Sequence, residues 1–180
     1  MFTPKYTITD RLLASITQIN TLVGNLNDLR FPKVILVEFE KTARAVSTYA
    51  STSIEGNPLP LTEVKKILKS KPEYIRNSEQ EVINYNQALE FLNKLLESNQ
   101  IELSLQMILD IHQQVTTNLL PSFESGKLRQ KPVVVNNPST GKVVYLPPDA
   151  DQVSSLVTDL LSYVNANTKK VDPLILAGIF

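Results

Sequence analysis

Apolar positions in the first hundred residues recur every three or four residues, which is the spacing of amphipathic helices. The first predicted helix runs from about Thr9 to Leu29, and Pro32 suits the first turn of a second helix that ends at Gly56. Thr62 and Ser78 are predicted to cap two further helices, the later one through a Ser-Glu-Gln-Glu capping box. The apolar stripe of the first helix consists of Leu12, Ile16, Ile19, Val23 and Leu26.

The second half of the chain contains helices on both sides of a single β signal. Ser104, Asp149 and Asp172 are predicted N-caps of helices there. Two β-branched runs surround a segment of turn formers, which predicts a hairpin with strands at 133–135 and 143–145. An isolated hairpin is marginally stable in water, so this one must lean on the helices or gain a strand. The predicted fold class is all-α with one β-hairpin.

Composition narrows the function classes. Hydrophobic residues make up 42% of the 180, enough for a core, and the 18 basic and 18 acidic residues cancel. We therefore expect neither nucleic acid nor a membrane surface as a partner. The chain has no cysteine, which excludes disulfides and thiolate catalysis, and no apolar run or leader of the kind that spans or crosses a bilayer. These features predict a cytoplasmic protein.

Familiar catalytic motifs are missing from the sequence. It contains no phosphate-binding P-loop, no Gly-x-Ser-x-Gly and no His-Glu-x-x-His, and its five glycines could build few phosphate-cradling turns. The single histidine, His112, leaves no histidine cluster for zinc. The sequence places neither a nucleophile nor an orienting carboxylate beside it, so a structural role is favoured for His112.

The stretch of residues 51–56 conflicts with helix electrostatics. Gly56 is a natural left-handed stop for the second helix, so Glu55 lies at the negative end of that helix. A carboxylate at this end opposes the macrodipole by about 0.3–1 kcal/mol. Ser51, four residues earlier, falls on the same helical face. Taken alone, the stretch is most simply a polar helix end whose Glu55 faces water.

The pattern Ser51-x-x-x-Glu55-Gly56 resembles the inhibitory motif of Fic-family AMP transferases. Further segments of the chain resemble segments of Fic-family sequences, and they occur in the same order as in that family. This shared order makes the resemblance specific. It covers about Phe31 to Phe180. The later segments are Asn84-Tyr85-x-x-Ala88-Leu89, Gly126-x-x-Arg129, the hairpin, Tyr145-x-Pro147-Pro148 and Asp172-Pro173-Leu174-Ile175.

The resemblance implies roles for particular residues. In the family, the inhibitory glutamate pairs with an arginine of the catalytic loop and keeps the ATP γ-phosphate from settling productively. Glu55 would be that glutamate, Ser51 would orient its helix, and Gly56 would end it.

The hairpin would be the flap that binds a target segment by main-chain pairing. Its base would be Gly126 and Arg129, and its docking residues Val133, Val134, Val135, Val143, Val144 and Tyr145. Without the resemblance, a hairpin that only covers a helix end is as good an interpretation.

The activity implied is transfer of AMP from ATP to a hydroxyl side chain of a protein substrate, with ATP and Mg²⁺ as cofactors. The family signature His-Pro-Phe-x-Asp/Glu-Gly-Asn-Gly-Arg supplies the base and the phosphate nest, and it does not occur in these 180 residues. We therefore expect this chain alone to be inactive and to bind neither cofactor tightly. The expected organisation is an amino-terminal helical region at 1–100 and the first part of a Fic-like helical core at 101–180, with the core incomplete after Phe180.

An alternative from another class is a non-enzymatic helical module that lends Glu55 or its flap to a partner protein. The codons that follow Phe180 distinguish the two, because a downstream signature would make this the inhibitory part of an enzyme. The identity of the protein substrate cannot be predicted from these residues. The apolar end of the last helix favours association, so a homo-oligomer is expected to be possible.

Overall fold

The computed structural model describes residues 2–97, 102–137 and 139–180, which form seven α-helices and one two-stranded sheet. The predicted boundary between residues 100 and 101 lies outside the described residues, as does Pro138 of the predicted hairpin loop. The predicted class, helical with one hairpin, is confirmed. The elements are α1 Asp10–Asn27, α2 Lys33–Ile54, α3 Leu61–Lys69, α4 Asn77–Glu97, α5 Leu105–Thr116, β1 Val135–Asn136, β2 Val143–Tyr145, α6 Val153–Asn167 and α7 Pro173–Ile179.

Two of the predicted helix caps are confirmed. Ser104 and Asp172 each accept a hydrogen bond from a backbone N–H in the first turn of α5 and α7, at 3.2 and 2.9 Å. Asp149 does occupy an N-cap position, but that of a 3-10 turn at Ala150–Gln152 that leads into α6. Its side chain accepts no capping hydrogen bond from the described residues.

Two other predicted caps are wrong. Thr62 lies inside α3, because Pro60 already sets the backbone for a helix that begins at Leu61. Ser78 likewise lies inside α4, whose first residue is Asn77. The carboxylate of Glu79 instead accepts from the backbone N–H of Arg76 at 2.8 Å, which is the reciprocal half of a capping box begun two residues earlier than predicted.

The best-buried part of the core joins α2, α3 and α4. Side chains of α3 and α4 form its centre, and side chains from α2, from α3 and from the segments beside α3 pack around them. This arrangement fixes the end of α2 against the start of α4. The central residues are Val64, Ile67, Val82 and Ile83, and the surrounding ones are Tyr49, Leu59, Leu68 and Ile75.

The helix pair α4 and α5 links the two predicted regions of the chain. The buried amide of Asn84 on α4 donates to the backbone carbonyls of Val115 and Thr117 at the end of α5, at 3.1 and 2.7 Å. Asn118 then takes a left-handed conformation with φ of 60°, as asparagine often does after a helix. A side chain of α4 therefore caps the last carbonyls of α5.

The predicted helix α1 is present, but its apolar stripe is largely uncovered. Ile16 is buried, whereas the other four stripe residues are between 37 and 62% exposed. The stripe was expected to be packing surface, and helices in the described part of the chain cover little of it. The exposed members are Leu12, Ile19, Val23 and Leu26.

The segment before α1 packs against α6 through aromatic rings. The ring of Phe2 meets the ring of Tyr163 edge to face, with centroids 5.5 Å apart. Burial raises the pKa of the Tyr163 hydroxyl, and the neighbouring Tyr6 hydroxyl adds to the rise. The chain start is thereby brought to the same side of the molecule as α6.

The first strand of the hairpin is shorter than predicted and displaced along the chain, whereas the second strand has the predicted bounds. Val135 pairs with Tyr145 and Asn136 with Val143, with an irregularity between the two pairs. Val133 and Val134 precede β1 and were wrongly assigned to it. In this register Val133 would face Pro147, which has no N–H to donate, so the ladder cannot extend in that direction.

The hairpin loop is closed by its own polar groups. The side-chain carbonyl of Asn137 accepts from the backbone N–H groups of Ser139 and Thr140, at 2.9 and 3.1 Å. Gly141 has φ of 67°, a left-handed value that favours glycine. No helix in the described ranges is long and apolar enough to cross a membrane.

Candidate functional site

The end of α2 is a complete Schellman motif. Gly56 has φ of 94°, the N–H of Gly56 donates to the carbonyl of Ser53, and the N–H of Asn57 donates to the carbonyl of Thr52, both at 3.0 Å. A Cβ built at Gly56 meets no atom within 4 Å. The requirement for glycine at this position is therefore conformational and not steric, and the predicted stop of the helix is confirmed.

Ser51 is held from α4. The hydroxyl of Tyr85 donates to the hydroxyl of Ser51 at 2.7 Å. This bond joins the Ser51 motif at the end of α2 to the Asn84-Tyr85 segment of α4. It fixes the rotation of the last turn of α2 relative to α4.

Asn57 provides a second attachment, which sequence reasoning missed. Its buried side-chain amide donates to the carbonyl of Ser78 at 2.8 Å and to the carboxylate of Glu81 at 2.7 Å. Its side-chain carbonyl accepts from the N–H of Leu59 at 3.1 Å. The available signal was an asparagine directly after a helix-ending glycine and before a proline.

A third attachment lies farther up α2. The guanidinium of Arg44 forms ion pairs with Glu90 of α4, at 2.9 Å, and with Glu40 of its own helix. These three residues help to line a cleft of about 870 Å³ between α2, α3 and α4. The cations and carboxylates in that cleft are largely paired with each other, so it serves to hold the helices in place.

Glu55 is presented on this anchored segment. It is the C-cap residue of α2, it is exposed, and its carboxylate makes no hydrogen bond or ion pair with a described residue. It lies outside the cleft beside Arg44. We call residues 51–57 the Glu55 platform, since both ends are fixed to α4 while the carboxylate between them is accessible. The inhibitory role of Ser51, Glu55 and Gly56 stays a prediction.

The turn at Gly126 requires glycine for two reasons. Its φ is 71°, and a Cβ there would lie 2.8 Å from the Cβ of Gln113. Its N–H donates to Nδ1 of His112 at 3.0 Å. His112 therefore holds the turn before the hairpin, which agrees with the structural role that we favoured for it.

Arg129 connects the two ends of the hairpin segment. Its guanidinium donates to the carbonyl of Lys131 at 3.1 Å and to the carbonyl of Pro148 beyond the second strand. The two acceptors lie on either side of the hairpin, one before the first strand and one after the second, so Arg129 bridges its base. The proposed roles of Gly126 and Arg129 in a flap remain predictions.

The hairpin offers an open apolar surface. All six predicted docking side chains are 44–61% exposed, and within the described ranges neither strand pairs with a third strand. Main-chain groups on the outer edges of β1 and β2 are thus available for strand addition. The hairpin was expected to lean on the helices or to gain a strand, and the exposure of these side chains favours the second alternative. The six side chains are Val133, Val134, Val135, Val143, Val144 and Tyr145.

The described residues contain no group of three or more histidine, aspartate or glutamate side chains that could hold a metal ion. The requirement for Mg²⁺ stays a prediction.

Part of the chain matches a known protein family. Residues 102–180 match the sequence model of the Fic/DOC family. Over these residues the chain is similar to the Fic/DOC family. The family match covers α5, the hairpin, α6 and α7, whereas the resemblance predicted from motifs began at Phe31. The Glu55 platform lies outside the matched range.

Two mosquito proteins are similar in sequence to this chain. The protein adenylyltransferase Fic of Aedes aegypti is 26% identical over 144 residues, which is 78% of this chain and 27% of the relative. The protein of the same name from Culex quinquefasciatus is 27% identical over 130 residues, 71% of this chain and 24% of the relative. These alignments extend well before residue 102, but the chain spans only about a quarter of either relative.

Solved structures agree on the fold. A Fic family protein from Desulfovibrio desulfuricans superimposes with a TM-score of 0.71 at 24% identity, over 99% of this chain and 51% of its own. A Fic domain containing signaling protein from Bacteroides thetaiotaomicron gives a TM-score of 0.75 at 18% identity, over 90% of this chain and 60% of its own. At these identities the likeness concerns the fold. It confirms the Fic-like helical arrangement with one hairpin.

Proposed function

We propose that these residues are the autoinhibitory and target-docking part of a protein adenylyltransferase, an enzyme that transfers AMP from ATP to a hydroxyl side chain of a protein. The proposal is supported by the Fic/DOC family match and by relatives that bear the name protein adenylyltransferase. Glu55 is the proposed inhibitory group. The hairpin is the proposed docking site for the target segment.

The observation that carries the proposal is the construction of the Glu55 platform. Glu55 occupies the end of α2 where a carboxylate is unfavourable, and it gains no compensating partner among the described residues. Tyr85 and Asn57 nevertheless fix the platform from both ends. A carboxylate held at such a position is suited to meet a cation that approaches from outside the platform, as the inhibitory glutamate of the family meets an arginine.

The hairpin supports the docking half of the proposal. An extended target segment could pair with an exposed edge through main-chain hydrogen bonds, with little dependence on its sequence. Arg129 ties the hairpin ends together, so the edge is presented on a fixed base. ATP and Mg²⁺ are required by the family activity, and the family signature that provides the base and phosphate nest does not occur in these 180 residues.

The decisive experiment compares AMP incorporation in the product of the whole gene, provided that the signature follows Phe180. Glu55→Gly and Glu55→Gln both remove the charge, and each should raise incorporation of labelled AMP. Glu73→Gly removes an exposed carboxylate from the loop before α4 and should leave incorporation unchanged. Equal incorporation by wild type and both Glu55 variants would remove Glu55 from its proposed role.

The 180-residue chain itself is proposed to be inactive, and AMP transfer by the purified chain would refute this. A second candidate is a regulatory module that supplies Glu55 to a partner protein in trans. The accessibility of Glu55 favours it, since the carboxylate is open to another chain. A stop codon directly after Phe180 would support this candidate, and a downstream signature would support the first.

A further inference from the structure

A second cavity, of about 620 Å³, lies between α5, the loop that leads to the hairpin, and the start of α6. Its walls are largely apolar, in contrast to the charged cleft beside Arg44. An apolar cavity of this size can accept a large side chain or a short stretch of a bound segment. The apolar lining includes Ile108, Leu109, Leu120, Phe123, Leu128 and Val153.

The rim of the cavity is positively charged. Lys127, Arg129 and Lys131 contribute to its lining, and Glu124 is its single carboxylate. None of the three cations forms an ion pair with a carboxylate in the described ranges. Arg129 donates to two carbonyl oxygens, which are neutral, so its charge is also uncompensated. The rim therefore favours a negatively charged occupant.

The cavity is continuous with the hairpin. Every residue from 127 to 133 lines it, and Val133 is two residues from the first residue of β1. The Gly126 turn, held by His112, fixes the start of this segment, and Arg129 within it donates to the carbonyl of Pro148. A peptide that pairs with the hairpin edge and continues past its base would pass over the cavity mouth.

We propose that this cavity is an anchor site for the partner segment, which carries one large apolar side chain flanked by aspartate or glutamate. The apolar side chain fills the cavity, and the flanking carboxylates meet Lys127 and Lys131 at the rim. This inference rests on the proposed docking function of the hairpin, and it adds the chemistry of the segment that docks. A nucleic acid could satisfy the rim but offers no aliphatic side chain for the interior.

The test measures binding of fluorescein-labelled peptides to the 180-residue chain by fluorescence anisotropy. The probe is Ser-Asp-Leu-Glu-Thr-Val-Thr-Val-Gly, which joins an Asp-Leu-Glu anchor to a strand-forming tail. One matched peptide has lysine for both acidic residues, and another has glycine for leucine. Each change should weaken binding by about tenfold or more, and salt should weaken binding of the acidic probe.

Matched variants of the protein locate the site. Lys127→Glu combined with Lys131→Glu should reverse the preference, so that the lysine peptide binds more tightly than the acidic probe. Lys169→Glu combined with Lys170→Glu makes the same charge change in the turn after α6, outside the cavity, and should retain the wild-type preference. Unchanged far-ultraviolet circular dichroism establishes that both double variants are folded.

Three results would overturn the anchor site. Equal binding of all peptides would leave docking on the hairpin but remove the anchor, and absence of binding by every peptide would remove the anchor as well. Displacement of the acidic probe by a twelve-residue oligothymidylate would assign the rim to phosphate. Failure of the proposed AMP transfer is read separately, because the Glu55 comparison measures incorporation and this experiment measures binding.

Discussion

The hydroxyl of Thr48 is completely buried on α2 and has no hydrogen-bond partner in the described part of the chain. Burial of a hydroxyl without a partner costs free energy that a methyl group of the same shape would not. The neighbouring Thr52 is also buried, but its hydroxyl donates to the carbonyl of Thr48 at 2.9 Å. Two similar threonines, one turn apart, thus differ in whether their polar atom is satisfied.

Thr48→Val should therefore raise the free energy of unfolding by about 1 kcal/mol, because it removes an unsatisfied buried hydroxyl and preserves volume. Thr52→Val is the matched control and should lower the free energy of unfolding by about 0.5–1.5 kcal/mol, since a hydrogen bond is lost. Urea denaturation followed by circular dichroism measures both. A Thr48→Val chain that is less stable than wild type would show that the hydroxyl has a partner.

Glu79 makes the stability depend on acid pH. The hydrogen bond from the Arg76 guanidinium, with a second from the Arg76 backbone, holds the pKa of the Glu79 carboxyl below its usual value. A lowered folded-state pKa means that the contribution is fully present above the unfolded pKa, about 4.3, and is lost as the pH falls through the folded pKa. The sensitive range therefore lies below about pH 5.

The measurement is the urea midpoint as a function of pH. The wild-type midpoint should fall as the pH is lowered from about 5 toward 3, and Glu79→Gln should fall less over the same range because it cannot titrate. Glu73→Gln, in the loop before α4, serves as the control and should keep the wild-type acid dependence. Identical curves for wild type and Glu79→Gln would contradict the assignment.

At the scale of elements, the orientation of the end of α2 depends on its attachments to α4. Tyr85→Phe removes only the hydroxyl that donates to Ser51. Loss of one hydrogen bond should accelerate amide hydrogen exchange across the Glu55 platform by about two- to tenfold, with little change in helix content. Exchange followed by mass spectrometry resolves this segment.

Two variants control that measurement. Tyr74→Phe alters a tyrosine that is 84% exposed and should leave exchange in the platform unchanged. Ser51→Ala should reproduce the effect of Tyr85→Phe, and the double variant should exchange no faster than either single one, because one bond is shared. Additive effects would mean that the two hydroxyls act separately.

Local signals in the sequence were sufficient for much of the secondary structure. The end of α2 at Gly56 and the caps at Ser104 and Asp172 follow from backbone preferences of residues next to each other. The caps of α3 and α4 were missed, because Pro60 began one helix and a glutamate reached back in the other. The possible first residues of a helix differ in free energy by small amounts, and a short capping motif does not show which of them is the most stable.

Contacts between distant segments could not be predicted from the sequence. Tyr85 and Ser51 were both singled out, yet their hydrogen bond spans 34 residues and depends on how α2 packs on α4. Asn57 was missed for the same reason, since its partners lie at the start of α4. The extent of β1 also depended on register, which places Pro147 opposite Val133. The motifs thus indicated which residues belong to the site, whereas the contacts between those residues depend on how the helices and strands pack.

At the scale of the whole molecule, apolar side chains are uncovered along α1 and also along the first half of α2. Leu13, Leu22 and Leu26 are 55–62% exposed on α1, and Val34 at the start of α2 is 74% exposed. Exposed apolar residues are ordinary when scattered, but many of them along one helix, as on α1, favour an interaction surface. This region is more extensive than the end of α7, from which association was first expected.

We accordingly predict that the purified 180-residue chain associates with itself, because burial of this surface between copies removes apolar area from water at about 25 cal/mol per Å². Sedimentation equilibrium should give a mass above that of a monomer, with dependence on protein concentration.

Leu22→Glu combined with Leu26→Glu should shift the mass toward the monomer, since two carboxylates would have to be buried. Tyr74→Glu places a charge at a position that is 84% exposed in the loop before α4, and it should leave association unchanged. A concentration-independent monomer mass for the wild-type chain would show that this surface does not bind a second copy.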